Sequence, residues 1–129
     1  MKKKLFLTCL IGLMFTTSVY AKCEGGTEIT NTVGTTFCKS NVKMNWWSAF
    51  AWCKANGLHL ATMYEMCPSW NGNKGSGKCP ELNGAGTGGD VWSSTAYDID
   101  SAFVVSDGYV RNSTEGGFYR NSGYFAFCI

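Results

Sequence analysis

The chain has 129 residues, with 11 Lys and Arg against 9 Asp and Glu, 7 cysteines and 16 glycines. That length fits one domain. There is no basic patch to draw nucleic acid or anionic lipid, which excludes those partner classes as a first reading.

The positive excess sits at the start. Met1, Lys2, Lys3 and Lys4 precede an apolar run from Leu5 to Val19, relieved by Thr8, Gly12 and Thr16 to Ser18. Val19-Tyr20-Ala21 then puts small residues at the two positions a signal peptidase reads. The pattern predicts a secretory signal over residues 1–21, too short to span a bilayer well. Cleavage leaves Lys22 first and a single domain over residues 22–129. A lipoprotein signal does not fit, because Cys9 lies inside the apolar run and Lys22 precedes Cys23. The three lysines and the short signal suit a bacterial exporter. Without those lysines, eight basic residues face nine acidic ones, so the net charge of the exported form is near −1. No later segment is apolar enough to insert in a membrane.

Thr27 to Thr30 and Thr35 to Cys38 read as two short strands, with Asn31 to Gly34 as the turn between them. Cys23 and Cys38 lie on opposite arms and could close this hairpin. Asn45 to Asn56 reads as a helix. Asn45 is a good N-cap, Trp46, Ala49, Phe50 and Cys53 make one apolar face, and Gly57 supplies a left-handed C-cap. Thr62-Met63-Tyr64-Glu65 is a capping box that starts a second, shorter helix limited by Pro68.

Ser69 to Gly89 reads as loop, with Cys67 and Cys79 bracketing its first half and able to tie it down. Strands then follow at Val91 to Thr95, Ala102 to Ser106 and Tyr109 to Asn112. Asp107-Gly108 is a strong hairpin turn between the last two. Tyr124 to Ile129 is a final strand carrying Cys128.

Six cysteines in the exported part allow fifteen pairings. Zinc is not expected: no CxxC spacing occurs, and His59 is the only histidine. His59, between Leu58 and Leu60, reads as a half-buried structural residue. It has no evident partner for a nucleophilic triad, and paired cysteines leave no thiolate. The glycines of residues 83–89 do not form a phosphate-cradling motif. The sequence therefore predicts no enzyme, no cofactor and no metal.

Phe37-Cys38, Asn45 to Cys53, and Gly57-Leu58-His59-Leu60-Ala61 together resemble the opening of a C-type lectin-like domain. Val91-Trp92-Ser93-Ser94 and Tyr124 to Cys128 resemble its core and closing strands. The resemblance implies an α+β fold of two helices on short antiparallel sheets, with a long loop region and disulfide staples. It also implies that Cys53 joins Cys128, that Cys23 joins Cys38, and that Cys67 joins Cys79, the last a departure from the family's usual second bridge. The calcium and sugar motifs of true C-type lectins are missing. No Glu-Pro-Asn or Gln-Pro-Asp turn occurs, and Trp70-Asn71-Gly72 lacks the aspartate of the expected Trp-Asn-Asp. The acidic side chains are scattered, although Asp98 and Asp100 could sit together.

From Ser93 onward the chain has no Lys, Gln, Met or Trp, and Glu115 is its only Glu. This resembles C-type lectin-like proteins diversified by retroelements. A plain β-rich segment favours the same residue types. Under the first reading Tyr97, Asp98, Asp100, Ser106, Asp107 and Arg111 are candidate variable positions, as are Ser113, Phe118, Tyr119, Arg120 and Ser122. Under either, Ser113 to Asn121 has the Tyr, Arg, Asn, Ser and Gly of a recognition surface. The expected function is calcium-independent binding of a protein or glycan, outside the cell, on its surface or in the periplasm. The candidate ligand-binding residues are Tyr97, Asp98, Asp100, Arg111, Ser113, Phe118, Tyr119, Arg120 and Asn121. The alternative is a structural subunit of a pilus or envelope assembly.

Overall fold

The computed structural model describes residues 23–72, 77–111 and 120–129. The expected signal segment over residues 1–21 and the candidate residues Ser113, Phe118 and Tyr119 lie outside the described residues.

The fold is α+β. Strands β1 (Gly26–Thr30) and β2 (Thr36–Met44) precede helices α1 (Trp46–Ala55) and α2 (Met63–Met66). Then come β3 (Gly77–Lys78), a single 3-10 turn at Pro80–Leu82, β4 (Val91–Ala96), β5 (Ala102–Ser106), β6 (Tyr109–Arg111) and β7 (Tyr124–Cys128). The strands form one seven-stranded sheet in the order β1-β2-β7-β4-β5-β6-β3. The separate antiparallel sheets of the sequence reading are thus one mixed sheet. Every neighbouring pair is antiparallel except β4 and β7, which run parallel with Val91 opposite Phe125.

The sheet is the middle layer of the domain, which follows from its period of two. Phe37, Val91, Phe103, Val105 and Phe127 belong to one buried cluster with Met63, Met66 and Leu82. Their neighbours Cys38, Trp92, Val104, Ala126 and Cys128 belong to a second, with Ala49 and Cys53 of α1. Thus α1 covers one face, while α2 and the 3-10 turn cover the other. Strand β5 is buried on both sides, with Ala102 to Val105 all at most 2% exposed.

Local chemistry explains the elements. The Asn45 carboxamide oxygen accepts from the Ser48 N–H at 2.8 Å and starts α1. The Thr62–Glu65 capping box is formed in both directions, at 3.1 and 2.9 Å. Asp107 and Gly108 have φ of 43° and 86°, the two positive values that a tight hairpin turn between β5 and β6 requires.

Strand β2 runs further than its sequence suggested. Its register against β7 shifts between Lys39 and Lys43. There the buried Ser40 hydroxyl donates to Val42 O at 2.7 Å and accepts from the Ala126 N–H at 2.9 Å. Ser40 thereby satisfies backbone groups that the irregularity leaves without ladder partners.

Three disulfides join Cys23 to Cys38, Cys53 to Cys128, and Cys67 to Cys79, the pairing that the resemblance implies. The first constrains Gly26: a Cβ there would stand 2.5 Å from Lys39 O and 3.0 Å from both Cys23 and Cys38 sulfurs. Disulfides suit an oxidising compartment outside the cytoplasm. Among the described residues no helix is long and apolar enough to cross a membrane.

Candidate ligand-binding face

The start of α1, the β4–β5 turn and the residues leading into β7 meet at one edge of the molecule. The turn is built by Asp98. Its carboxylate accepts from the Asp100 N–H at 2.9 Å and from the Ser101 hydroxyl. The Tyr97 and Asp98 N–H groups both reach Ser101 O, at 3.0 and 3.3 Å. The Ser101 hydroxyl, then the Asp100 N–H and the nearby Arg120 charge, hold the Asp98 carboxyl below its usual range. Such a closed turn leaves no inward place for Ile99, which is 85% exposed.

Arg120 locks this turn to the helix. Its N–H donates to Asp100 O at 3.1 Å, and its carbonyl accepts from the Trp46 N–H at 2.9 Å. Its Nη2 donates to Asp98 O at 3.0 Å. The guanidinium carbon sits 4.2 Å from the Trp46 ring centre. The buried Nε has no hydrogen-bond partner among the described residues. Trp46 is anchored in turn by its Nε1–H, which donates to Ser93 O at 2.9 Å.

Next to this pair stands Trp47, 56% exposed, its ring set edge-on to Trp46 with centroids 5.9 Å apart. Trp47, Ile99, Asp100, Arg120 and Asn121 line a cleft of about 250 Å³.

The structure therefore brings together Asp98, Asp100, Arg120 and Asn121 of the residues expected from the sequence. Tyr97 stands apart from the cleft lining. It is half-buried, packed edge-on against Phe103 at 5.3 Å. Arg111 lies on β6, exposed and paired in register with Val104. Trp47 and Ile99 were missed. The signal for Trp47 was present: it falls off the helical spacing of Trp46, Ala49 and Cys53, so an unpaired indole had to face outward. Phe50, on the expected apolar face, is 39% exposed and packs edge-on against Trp46 at 4.6 Å instead.

His59 is a correction. Its side chain is 63% exposed, and its Nε2 lies 2.8 Å from a Glu65 carboxylate oxygen. Leu58 and Leu60 flank it in an extended segment, where alternate side chains point to opposite sides. With Leu60 turned into the core, His59 turns out.

Among the described residues, Cys67, Cys79 and Glu81 form a grouping with metal-ligand spacing. Both sulfurs are bound in the Cys67–Cys79 disulfide. The Glu81 carboxylate accepts from the Ser69 N–H at 2.8 Å and ties the loop to the 3-10 turn.

No protein-family model, curated protein or solved structure matches the chain.

Proposed function

We propose that the chain is an exported C-type lectin-like module that binds a protein or glycan without calcium, on the face built by Trp47, Ile99, Asp100, Arg120 and Asn121. The observation that carries this reading is the exposure of a large indole and an isoleucine beside charged and amide groups, in a cleft whose backbone is fixed by hydrogen bonds. Rigid aromatic area with adaptable polar neighbours is what recognition surfaces use. The lectin-like reading is supported by the bridge from α1 to the last strand and by the order of hairpin, helix, short helix, loop and strands. Export is supported by the basic and apolar start of the chain and by three disulfides.

The test compares the wild-type protein with W47A and I99S, purified after expression of the full chain, on a glycan array and against surface-protein extracts. Both substituted side chains are exposed, so the midpoint of thermal unfolding should move by less than about 3 °C. Retention of the captured ligand should fall at least about tenfold, as for central aromatic contacts in other interfaces. Equal retention by all three proteins would overturn the location. Self-association lost in both variants would favour the assembly-subunit reading instead.

A further inference from the structure

We propose that Cys23, Cys38, Cys128 and Cys53 form a thiol–disulfide relay, in which a small thiol entering at Cys23 moves the covalent tie of β7 from α1 to β2.

The strand register carries this. Cys38 of β2 and Cys128 of β7 stand directly opposite each other in an antiparallel pair. Opposite residues of such a pair share one face of the sheet, with Cα atoms about 4.5–5.5 Å apart. A disulfide needs Cα atoms about 4.4–6.8 Å apart. The bridges that these cysteines form instead, Cys23–Cys38 and Cys53–Cys128, have Cα separations of 5.4 and 5.5 Å. The backbone therefore admits another pairing, Cys38 with Cys128, without moving either strand. Packing agrees: Cys38, Cys53 and Cys128 lie in the same buried cluster, and Cys23 packs against it.

Burial sets the direction. Cys38 is 4% exposed and Cys53 and Cys128 are fully buried, whereas Cys23 is half-buried. Cys23 also lies just before β1, an edge strand of the sheet. A thiolate from solvent therefore meets Cys23 first. It bonds to the Cys23 sulfur, the Cys23–Cys38 bond breaks, and Cys38 leaves as a thiolate. The Cys38 thiolate bonds to the Cys128 sulfur and the Cys53–Cys128 bond breaks. Cys53 leaves as a thiolate and takes up the proton that the entering thiol lost. The number of disulfides is unchanged: a mixed disulfide at Cys23 and a Cys38–Cys128 bridge replace the original pair, and the thiol that entered is matched by the thiol of Cys53.

The consequence falls on α1. Its tie to β7 is gone, so the helix that carries Trp46 and Trp47 stays on the sheet by packing alone. Loop-closure entropy grows only with the logarithm of loop length, so it barely distinguishes the old bridge to Cys128 from the new one. Cys67 and Cys79 belong to the cluster on the other face of the sheet and stand outside the relay.

The test uses C23S, which leaves Cys38 as a thiol without any entering reagent. The full chain, purified from an oxidising compartment, is held in a buffer of reduced and oxidised glutathione, quenched in acid, alkylated and mapped by peptide mass spectrometry. At least about one molecule in ten should carry Cys38–Cys128 with an alkylated Cys53. Wild-type protein in the same buffer should carry glutathione on Cys23 and the alkyl group on Cys53. C53S frees Cys128 instead and should reach the same Cys38–Cys128 bridge, with Cys23 alkylated. C67S frees Cys79 on the other face and should form no new bridge.

A C23S protein that keeps Cys53–Cys128 and a free Cys38 in every molecule would overturn the proposal, even where C53S fails to fold. Wild-type protein in which Cys53 is never alkylated would overturn it too. So would new bridges to Cys67 or Cys79 in amounts equal to Cys38–Cys128, because that pattern marks exchange through unfolded chains and not across the register pair.

Discussion

Glu65 holds two groups, the start of α2 and the His59 ring, with one carboxylate. It accepts from the Thr62 N–H at 2.9 Å, closes the capping box of α2, and meets the exposed His59 ring at 2.8 Å. Burial pushes its carboxyl up. The Thr62 N–H and the His59 ring outweigh that and hold it below its ordinary value of 4.5. Between the folded and unfolded values, the unfolded chain binds more protons, so stability rises with pH across that interval. The contribution is complete above 4.5 and is lost as the pH falls through the folded value. Glu65→Gln keeps an acceptor for the cap and removes the charge. Thermal midpoints of the two proteins should therefore differ at neutral pH and converge in acid. A gap that stays constant with pH would show that the charge adds nothing beyond the hydrogen bond. The cap was legible in Thr62 and Glu65 because its geometry is local. The His59 partner was not, since it requires knowing that residues 58–61 are extended.

At the scale of elements, the disulfides differ in how much chain they close. Cys53–Cys128 spans 75 residues, whereas Cys23–Cys38 and Cys67–Cys79 span 15 and 12. Loop-closure entropy then gives about 4.5 kcal/mol for the long bridge and about 3 kcal/mol for each short one. Paired alanine substitutions should follow that order in the midpoint of denaturant unfolding, with C53A/C128A the most damaging. A smaller loss there than in C67A/C79A would show that the tied loop matters more than the chain it closes. Hairpins, helix caps and strand positions were readable from turn residues and spacing. The edge strand β3 was not, because Gly77 and Lys78 carry no strand signal and pair only where β6 lies opposite. Nor was the second half of β2, where polar residues accompany an irregular register that Ser40 stabilises from within. The candidate cleft was legible on its β4–β5 and Arg120 sides and missed on its α1 side. Trp47 read as one more aromatic in a helix until the packing of Trp46 showed which face was spent.

For the whole molecule the decisive element is β7. It lies between β2 and β4, so the N-terminal hairpin joins the remaining strands through it. Its Ala126, Phe127 and Cys128 are fully buried, and Phe127 stacks on Phe37 with ring centres 4.6 Å apart. Ile129 and His59 exchange both backbone hydrogen bonds at 2.9 Å, which brings the segment after α1 onto the same strand. Tyr124 packs edge-on against Trp92, the largest fully buried side chain, at 4.8 Å. A chain ending at Gly123 loses all of this together with the Cys53–Cys128 bridge. The bridge alone accounts for about 4.5 kcal/mol, and a buried Phe adds about 1.5–3 kcal/mol. Small domains have only about 5–15 kcal/mol in all. The truncated chain should therefore show no cooperative thermal transition and no near-ultraviolet circular dichroism from ordered Trp92, although its hairpins keep their turn residues. A cooperative transition in that chain would mean that the β1–β2 hairpin and the β4–β6 strands fold as separate units. The sheet order argues against this, because in the full chain each part offers an open edge that only β7 closes.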